Sequence, residues 1–454
     1  MANTIETKNP YTDKVISKYE LFSKEKLEKS INSAEEAFLK WKKVDVKERA
    51  KLLKKVAMIM EENIERYSQL ITDEMGKPIS ESKAEIEKCI YLCDFYRKNA
   101  DLLLADEIIK TEAKESFISY DPLGVILAIM PWNYPFWQVM RFAIPTLTAG
   151  NTALLKHASN VSGCAIAIQE IFEQAGYPKS CFTTLLVDHD QIENVIENKI
   201  IKAISLTGSE KAGRSIAEIA GKNLKKTVLE LGGNNACIIL DDADLDQHIK
   251  TIVKARMQNT GQSCIAAKRF IVVETIYEEF LEKFTSKVKS LKIGDPSHKD
   301  TKVGVMARAD LADTLQKQVK DSIDKGATIH FGNEKNKSYY QPTILTNVKP
   351  GMPSFDEETF GPVAAIIKVK DKNEAYEFAS NSKFGLGSMI FTKDTDDAKQ
   401  RILDIEDGAF FINEMVKSDP RLPFGGTKAS GYGRELSREG ILEFVNKKTV
   451  YINK

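Results

Sequence analysis

The residues of this chain that can do chemistry are few, and they sit where apolar runs break off. In NTGQSCIAAKRF, residues 259–270, Cys264 follows small and polar neighbours and precedes a strand-like run. A thiol so placed is either small buried filler or a nucleophile. The second role needs a thiolate, donors for the oxyanion it generates and room for substrate. In LELGG, residues 229–233, Glu230 interrupts an apolar run, where a carboxylate is costly unless partnered or functional. Desolvation would raise its pKa and suit it to general-base work; the alternative is a strand-end glutamate turned to solvent. In MPWNYPFW, residues 130–137, Asn133 stands between prolines at the end of the run GVILAIM. It either presents an amide outward or simply forms a turn. In SLTGSEKAG, residues 205–213, the order is strand, tight turn, helix, with Gly208 in the turn and Ser209 a natural N-cap. The free N–H groups of that first helical turn suit a phosphate. The glycine spacing is not G-x-G-x-x-G, so an ordinary strand-to-helix turn remains the alternative.

The elements that must hold these residues follow from periodicity. Residues 20 to about 107 read as helices: Leu27, Ile31, Ala34, Phe38 and Trp41 fall on one face, and Glu48–Ile71 and Ser80–Leu104 behave similarly. From Phe117 short apolar runs alternate with helical stretches: GVILAIM, TALLKHA, FTTLLVD, AISLTGS and TVLELGG. Runs without polar alternation, joined by helical stretches, predict parallel strands buried on both faces. A second series follows Gly233, with ACIILDD, RFIVVE, a helix over Ile276–Leu291 and PVAAIIKV. A helix over Leu436–Val445 leads into a terminal strand, KKTVYINK, which needs a partner; SFISY at 116–120 is the candidate.

Composition removes several classes. The 454 residues exceed one ordinary core, so two large domains or more are expected. Lys plus Arg equals Asp plus Glu at 65 each, so no net field favours nucleic acid or an anionic membrane. The polar start, MANTIETKNPYTDK, lacks the apolar core of a signal peptide, and the run Leu123–Trp132 is about half a membrane span. A cytoplasmic protein is expected. Six cysteines without an export signal do not suggest a disulfide framework, and Cys89 and Cys93 read as a buried helix face. The five histidines form no ligand spacing, so no metal is expected.

MPWN, TGS, LELGG and GQSC occur in that order, followed by ETFGPV at 358–363 and PFGGTKASGYGRE at 423–435. The series resembles the aldehyde dehydrogenase superfamily, from about residue 8 to the last strand. The resemblance implies an α/β fold: a Rossmann-like cofactor domain (1–114 and 125–232), an α/β catalytic domain (233–435) and a small β oligomerisation element (115–124 and 436–454), assembled as a homodimer or homotetramer. It implies that Cys264 is the nucleophile, that Asn133 and the Cys264 N–H hold the oxyanion, and that Glu230 activates the water that hydrolyses a thioester. Gly261 and Ser263 would leave room beside the sulfur. Trp132, Gly208 and Ser209 would contact the pyrophosphate, Lys156 and Glu358 the riboses, and Phe360 would flank the nicotinamide ribose. Three residues after Lys156, where NAD-preferring relatives often carry a glutamate, stands Ser159, so NADP is expected alongside NAD.

Within the superfamily, LLKHASN, QNTGQSCIAAKRFI and the short amino terminus are similar to short-form bacterial succinate-semialdehyde dehydrogenases. Arg141 and Ser418, with Lys417 beside it, would then bind the substrate carboxylate. Gln258 stands where long-form enzymes carry a second arginine, which leaves a broader aldehyde specificity open. Ala266 replaces the second cysteine of a regulatory disulfide. Among rivals, a cofactor-independent thiol hydrolase would pair Cys with His, and no histidine stands in such a motif. A CoA-acylating relative commonly lacks the glutamate at 230, and a retired binding protein would not keep Asn133, Lys156, Glu230 and Cys264 together.

Overall fold

The structure, a computed structural model, describes residues 4–453; the expected domain limits at 1 and 454 lie outside the described residues. The chain opens with a hairpin of β1 (Thr4–Lys8) and β2 (Val15–Glu20). Four helices follow: α1 (Lys24–Trp41), α2 (Val46–Glu62), α3 (Ile64–Met75) and α4 (Ile79–Leu103). The predicted face of α1 is the buried one, with Leu27, Ile31, Ala34, Phe38 and Trp41 all inside. The single helix expected over 48–71 is two, broken at Asn63, which closes α2 and opens α3. The hairpin escapes a sequence reading because its strands are mostly exposed and have no apolar face.

After β3 (Glu107–Ile108) and β4 (Glu115–Pro122) comes the first large sheet. Its parts are β5 (Val125–Met130), α5 (Trp137–Thr148), β6 (Thr152–His157), α6 (Ser162–Gln174), β7 (Phe182–Thr184), α7 (Ile192–Glu197), β8 (Ile201–Thr207), α8 (Glu210–Lys222) and β9 (Lys226–Glu230). The strands run parallel in the order β9-β8-β5-β6-β7. Chain order therefore reverses between β5 and β8, and in open sheets of this kind ligands bind beyond the carboxyl ends of the strands at such a point. Asn133 follows β5 and Ser209 follows β8, so the two motifs flank that crevice. Helix α4 packs on α5, and one apolar cluster joins the helical layer to one face of the sheet. A second cluster, containing Leu127, Leu154, Ile204 and Leu229, covers the other face.

The second large sheet begins with β10 (Asn235–Ile239), continues through α9 (Leu245–Met257) and β11 (Ala267–Val273), and is completed by strands 328–331, 343–346, 363–369, 388–391 and 410–412. All but the edge strand 328–331 pair in parallel. Strand 431–432, assigned by sequence to the second domain, instead adds antiparallel to β9, pairing Gly431 with Glu230. The terminal strand 445–452 pairs with β4 along its length, Val450 opposite Phe117, as expected, and β3 flanks β4 on its other side. The helix expected over 436–445 is confined to Ser437–Leu442. Cys89 and Cys93 are fully buried on α4. Among the described residues no helix is long and apolar enough to cross a membrane.

Candidate active site

Cys264 stands on a turn between α9 and β11 whose backbone is strained. Asn259, Thr260 and Gly261 have φ of 55°, 54° and 72°, a left-handed run that two non-glycine residues adopt only when neighbours impose it. The Asn259 N–H donates to the Glu81 carboxylate at 2.6 Å, and its side-chain amide donates to the Asn133 carbonyl at 2.7 Å. Arg256, fully buried, donates to the Gly261 and Ala267 carbonyls at 2.6 and 2.9 Å. Beyond the thiol, the Lys268 ammonium donates to the carbonyls of Ser263 (2.8 Å) and Cys264 (2.6 Å), and the Asn235 amide donates to the Cys264 carbonyl at 2.6 Å. The expected role of Gly261 as space beside the sulfur is not what the structure gives it. A Cβ there would meet the Gly361 carbonyl at 2.3 Å, so this glycine allows two backbones to touch. Ser263 does line a cavity beside the thiol.

Two clefts meet at Cys264, and among the described residues only it and Gln138 line both. The first, about 250 Å³, opens at the β5–β8 switch point and is lined by Trp132, Asn133, Gly208, Ser209, Glu358 and Phe360. Ser209 caps α8, accepting from the Ala212 N–H at 3.3 Å. Trp132 and Phe360 meet edge to face at 5.7 Å. Glu358 is tied by the Lys268 ammonium and the Gly233 N–H, both at 3.1 Å. Lys156 and Ser159, at the end of β6, line neither cleft; Ser159 faces a separate groove shared with the β1–β2 hairpin. Burial lowers the Lys156 pKa, and the Asp188 charge opposes that.

The second cleft, about 190 Å³, is lined by Glu81, Lys88, Trp137, Arg141, Gln258, Lys417, Ser418 and Phe424. Arg141 lies over the Phe424 ring at 4.5 Å and forms an ion pair with Glu435. Glu81 is pushed up to about 7 by burial, opposed by the bond from Asn259. Glu81, Lys88 and Lys268 were not legible as site residues, because charged residues on a helix or beside a strand read as solvated ones. Only the fold turns them inward.

Asn133 donates one amide hydrogen to the Gln262 carbonyl at 3.1 Å, while its carbonyl oxygen is buried without a partner. A primary amide has a second N–H, which is left for another acceptor. Glu230 is 2% exposed at the end of β9, and neither carboxylate oxygen has a hydrogen-bond partner among the described residues. Burial raises its pKa well above the ordinary value, the Glu435 charge adds to the rise, and Arg141 and Arg434 oppose it. Glu230 lines neither cleft. It lies behind them, against Gly425, where a Cβ would meet its Oε1 at 2.7 Å. The Cys264 thiol is pushed up to about 11, chiefly by burial, with Lys268 and Arg141 opposing. No group of three or more His, Cys, Asp or Glu among the described residues is placed to hold a metal ion.

A thiol reached from two sides, with an unpartnered carboxyl behind it and an amide N–H beside it, can form and hydrolyse an acyl-sulfur bond while a second ligand occupies the other cleft. Comparison with known proteins gives the family. Residues 1–450 match the model of the aldehyde dehydrogenase family. A probable succinate-semialdehyde dehydrogenase [NADP(+)] of Synechocystis is 48% identical over 451 residues, covering 99% of each chain. The succinate semialdehyde dehydrogenase [NAD(P)+] Sad of Escherichia coli is 44% identical, covering 98% of this chain and 96% of its own. The crystal structure of succinic semialdehyde dehydrogenase from Streptococcus pyogenes in complex with NADP+ is 39% identical and superposes with a TM-score of 0.97 over 99% of this chain and 100% of that one.

Proposed function

The chain belongs to the aldehyde dehydrogenase family, and on that premise we propose that it oxidises succinic semialdehyde to succinate with NADP or NAD. The observation that carries the reading is the single thiol shared by two clefts, one at the sheet's switch point and one with cations on its wall. Relatives 43–48% identical over nearly the whole chain carry that activity in their names.

The first cleft suits a dinucleotide. The α8 N-terminus offers N–H groups to a pyrophosphate, and Gly232 lets the Glu358 carboxylate come close, since a Cβ there would lie 2.3 Å from it. Trp132, Gly208 and Ser209 would hold the pyrophosphate and Glu358 and Phe360 the nicotinamide side, with Lys156 and Ser159 towards the adenosine ribose. The bound nicotinamide supplies the hydride acceptor. The rest belongs to the chain. Sγ of Cys264, its proton given up to the solvent of the cleft, attacks the aldehyde carbon, and the free N–H of Asn133 with the Cys264 backbone N–H holds the oxyanion. Loss of hydride from that carbon leaves a thioester on Cys264. Glu230 then draws a proton from water, which attacks the thioester and releases the carboxylic acid and the thiol. Gly425, lacking a Cβ, accommodates the Glu230 carboxyl, whose Oε1 a Cβ would meet at 2.7 Å; to act on the thioester the side chain would have to turn towards Cys264. Arg141 and Ser418 orient the substrate carboxylate in the second cleft.

A broader specificity is the second reading, and Gln258 on the cleft wall favours it. Steady-state kinetics on succinic semialdehyde and on butanal, an uncharged four-carbon aldehyde, separate the two. A preference in kcat/KM of roughly a hundredfold for the charged substrate is expected from a charge-assisted carboxylate contact; equal values would leave only a general aldehyde dehydrogenase.

We further propose the division into cofactor and catalytic domains with 115–124 and 436–454 as a sheet that joins protomers into a dimer or tetramer, in the cytoplasm. The outer residues of that sheet, among them Ile108, Tyr451 and Ile452, are exposed in the single chain.

A further inference from the structure

Among the described residues three cationic side chains line the second cleft, and two have a carboxylate partner: Arg141 pairs with Glu435, and Lys417 with Glu414 at 2.9 Å. The third, Lys88 of α4, makes no ion pair among the described residues. Its ammonium donates to the Ser418 hydroxyl at 2.7 Å and lies 4.0 Å from the centre of the Trp137 ring. A lysine with one neutral acceptor and one aromatic face has donor capacity to spare, and a cation taken out of water without a counter-ion is costly.

We propose that Lys88 is the principal cation for the substrate's carboxylate, with Ser418 as its relay. Because Ser418 accepts from Lys88, its own hydroxyl hydrogen is turned outward to donate, so one carboxylate receives bonds from both. This deepens the succinic semialdehyde reading and rests on it. It also accounts for Gln258, since a cleft with its own unpaired cation needs no arginine there. Arg141 then orients the same carboxylate as the lesser cation, since its charge is shared with Glu435.

The charged and titratable groups that act on Lys88 are Arg141 from α5, Glu85 and Cys89 from its own helix, and Asp419 from the loop after Ser418. Burial, reinforced by Arg141, brings its pKa down to about 7. A carboxylate beside it reverses that shift, so binding the charged substrate takes up a proton near neutrality.

The test uses Lys88→Met, close in length without the charge, and Lys88→Arg, which keeps it, with saturating NADP. For Lys88→Met the KM for succinic semialdehyde is expected to rise tenfold to about a hundredfold. The loss in kcat/KM for butanal should be at least about tenfold smaller than the loss for succinic semialdehyde, and Lys88→Arg should recover most of the latter. Equal losses on both aldehydes, or an unchanged KM, overturn the proposal. Inhibition of the unaltered enzyme by succinate gives an independent reading should a variant not fold. Inhibition should weaken as pH rises through about 7, and a constant inhibition constant from about pH 6 to about pH 9 overturns the proposal. If the unaltered enzyme does not prefer succinic semialdehyde to butanal, the substrate reading and the role of Lys88 fall together; if it does and Lys88→Met keeps that preference, only Lys88 falls.

Discussion

At the scale of single residues, the thiol is held in its protonated form by burial. With a pKa pushed up to about 11, the thiolate fraction of the free protein grows about tenfold per pH unit through the neutral range. Inactivation by iodoacetamide should therefore accelerate by about that factor from pH 7 to 8, and again to 9; a rate independent of pH would mean that the thiolate is already formed. Asn133→Ala tests a different step. Losing one oxyanion donor should cost about 10²- to 10³-fold in kcat, while the alkylation rate of Cys264 stays near that of the parent. Cys264, Asn133 and Ser209 were legible because each breaks a local pattern where a strand meets a turn. Lys88 and Glu81 were not. They are seven residues apart on α4, and nothing local distinguishes an inward lysine from a solvated one.

Helix α4 does more than cover the sheet, and its consequences belong to the scale of elements. Glu85 accepts the N–H groups of Phe136 and Trp137 at 2.8 and 2.9 Å, capping α5 from another helix, and it forms a fully buried ion pair with Lys77. The Lys77 ammonium also lies 3.8 Å from the centre of the Tyr134 ring. Glu85→Ala therefore leaves a buried cation without a counter-ion and two helical N–H groups without an acceptor. A loss of about 3–5 kcal/mol is expected, seen as a lower thermal midpoint, and Lys77→Met in the same chain should recover part of it. The elements easiest to read were those with a long apolar period, such as α1 and the inner strands. The break at Asn63 and the β1–β2 hairpin carry no comparable signal, since neither is set by an apolar face.

For the whole molecule, the pairing of the last strand with β4 was legible, because an extended run with no neighbour in sequence needs one in space. The return of Gly431 to the first sheet was not, since a two-residue strand has no period to detect. That return brings Gly425, Arg434 and Glu435 around Glu230, so the carboxyl's surroundings are assembled from segments about 200 residues apart in sequence. Removing residues after Phe444 should strip β4 of its long partner and expose its edge. Light scattering is expected to report a smaller assembly than the parent's; an unchanged mass would exclude this sheet as the contact between protomers.

A sulfur atom approached from two directions also governs traffic. On the proposed assignment each reactant would have its own doorway, so neither would have to leave before the other entered. The spent dinucleotide would then be free to depart while the acyl group stayed attached, clearing one side for solvent without opening the other.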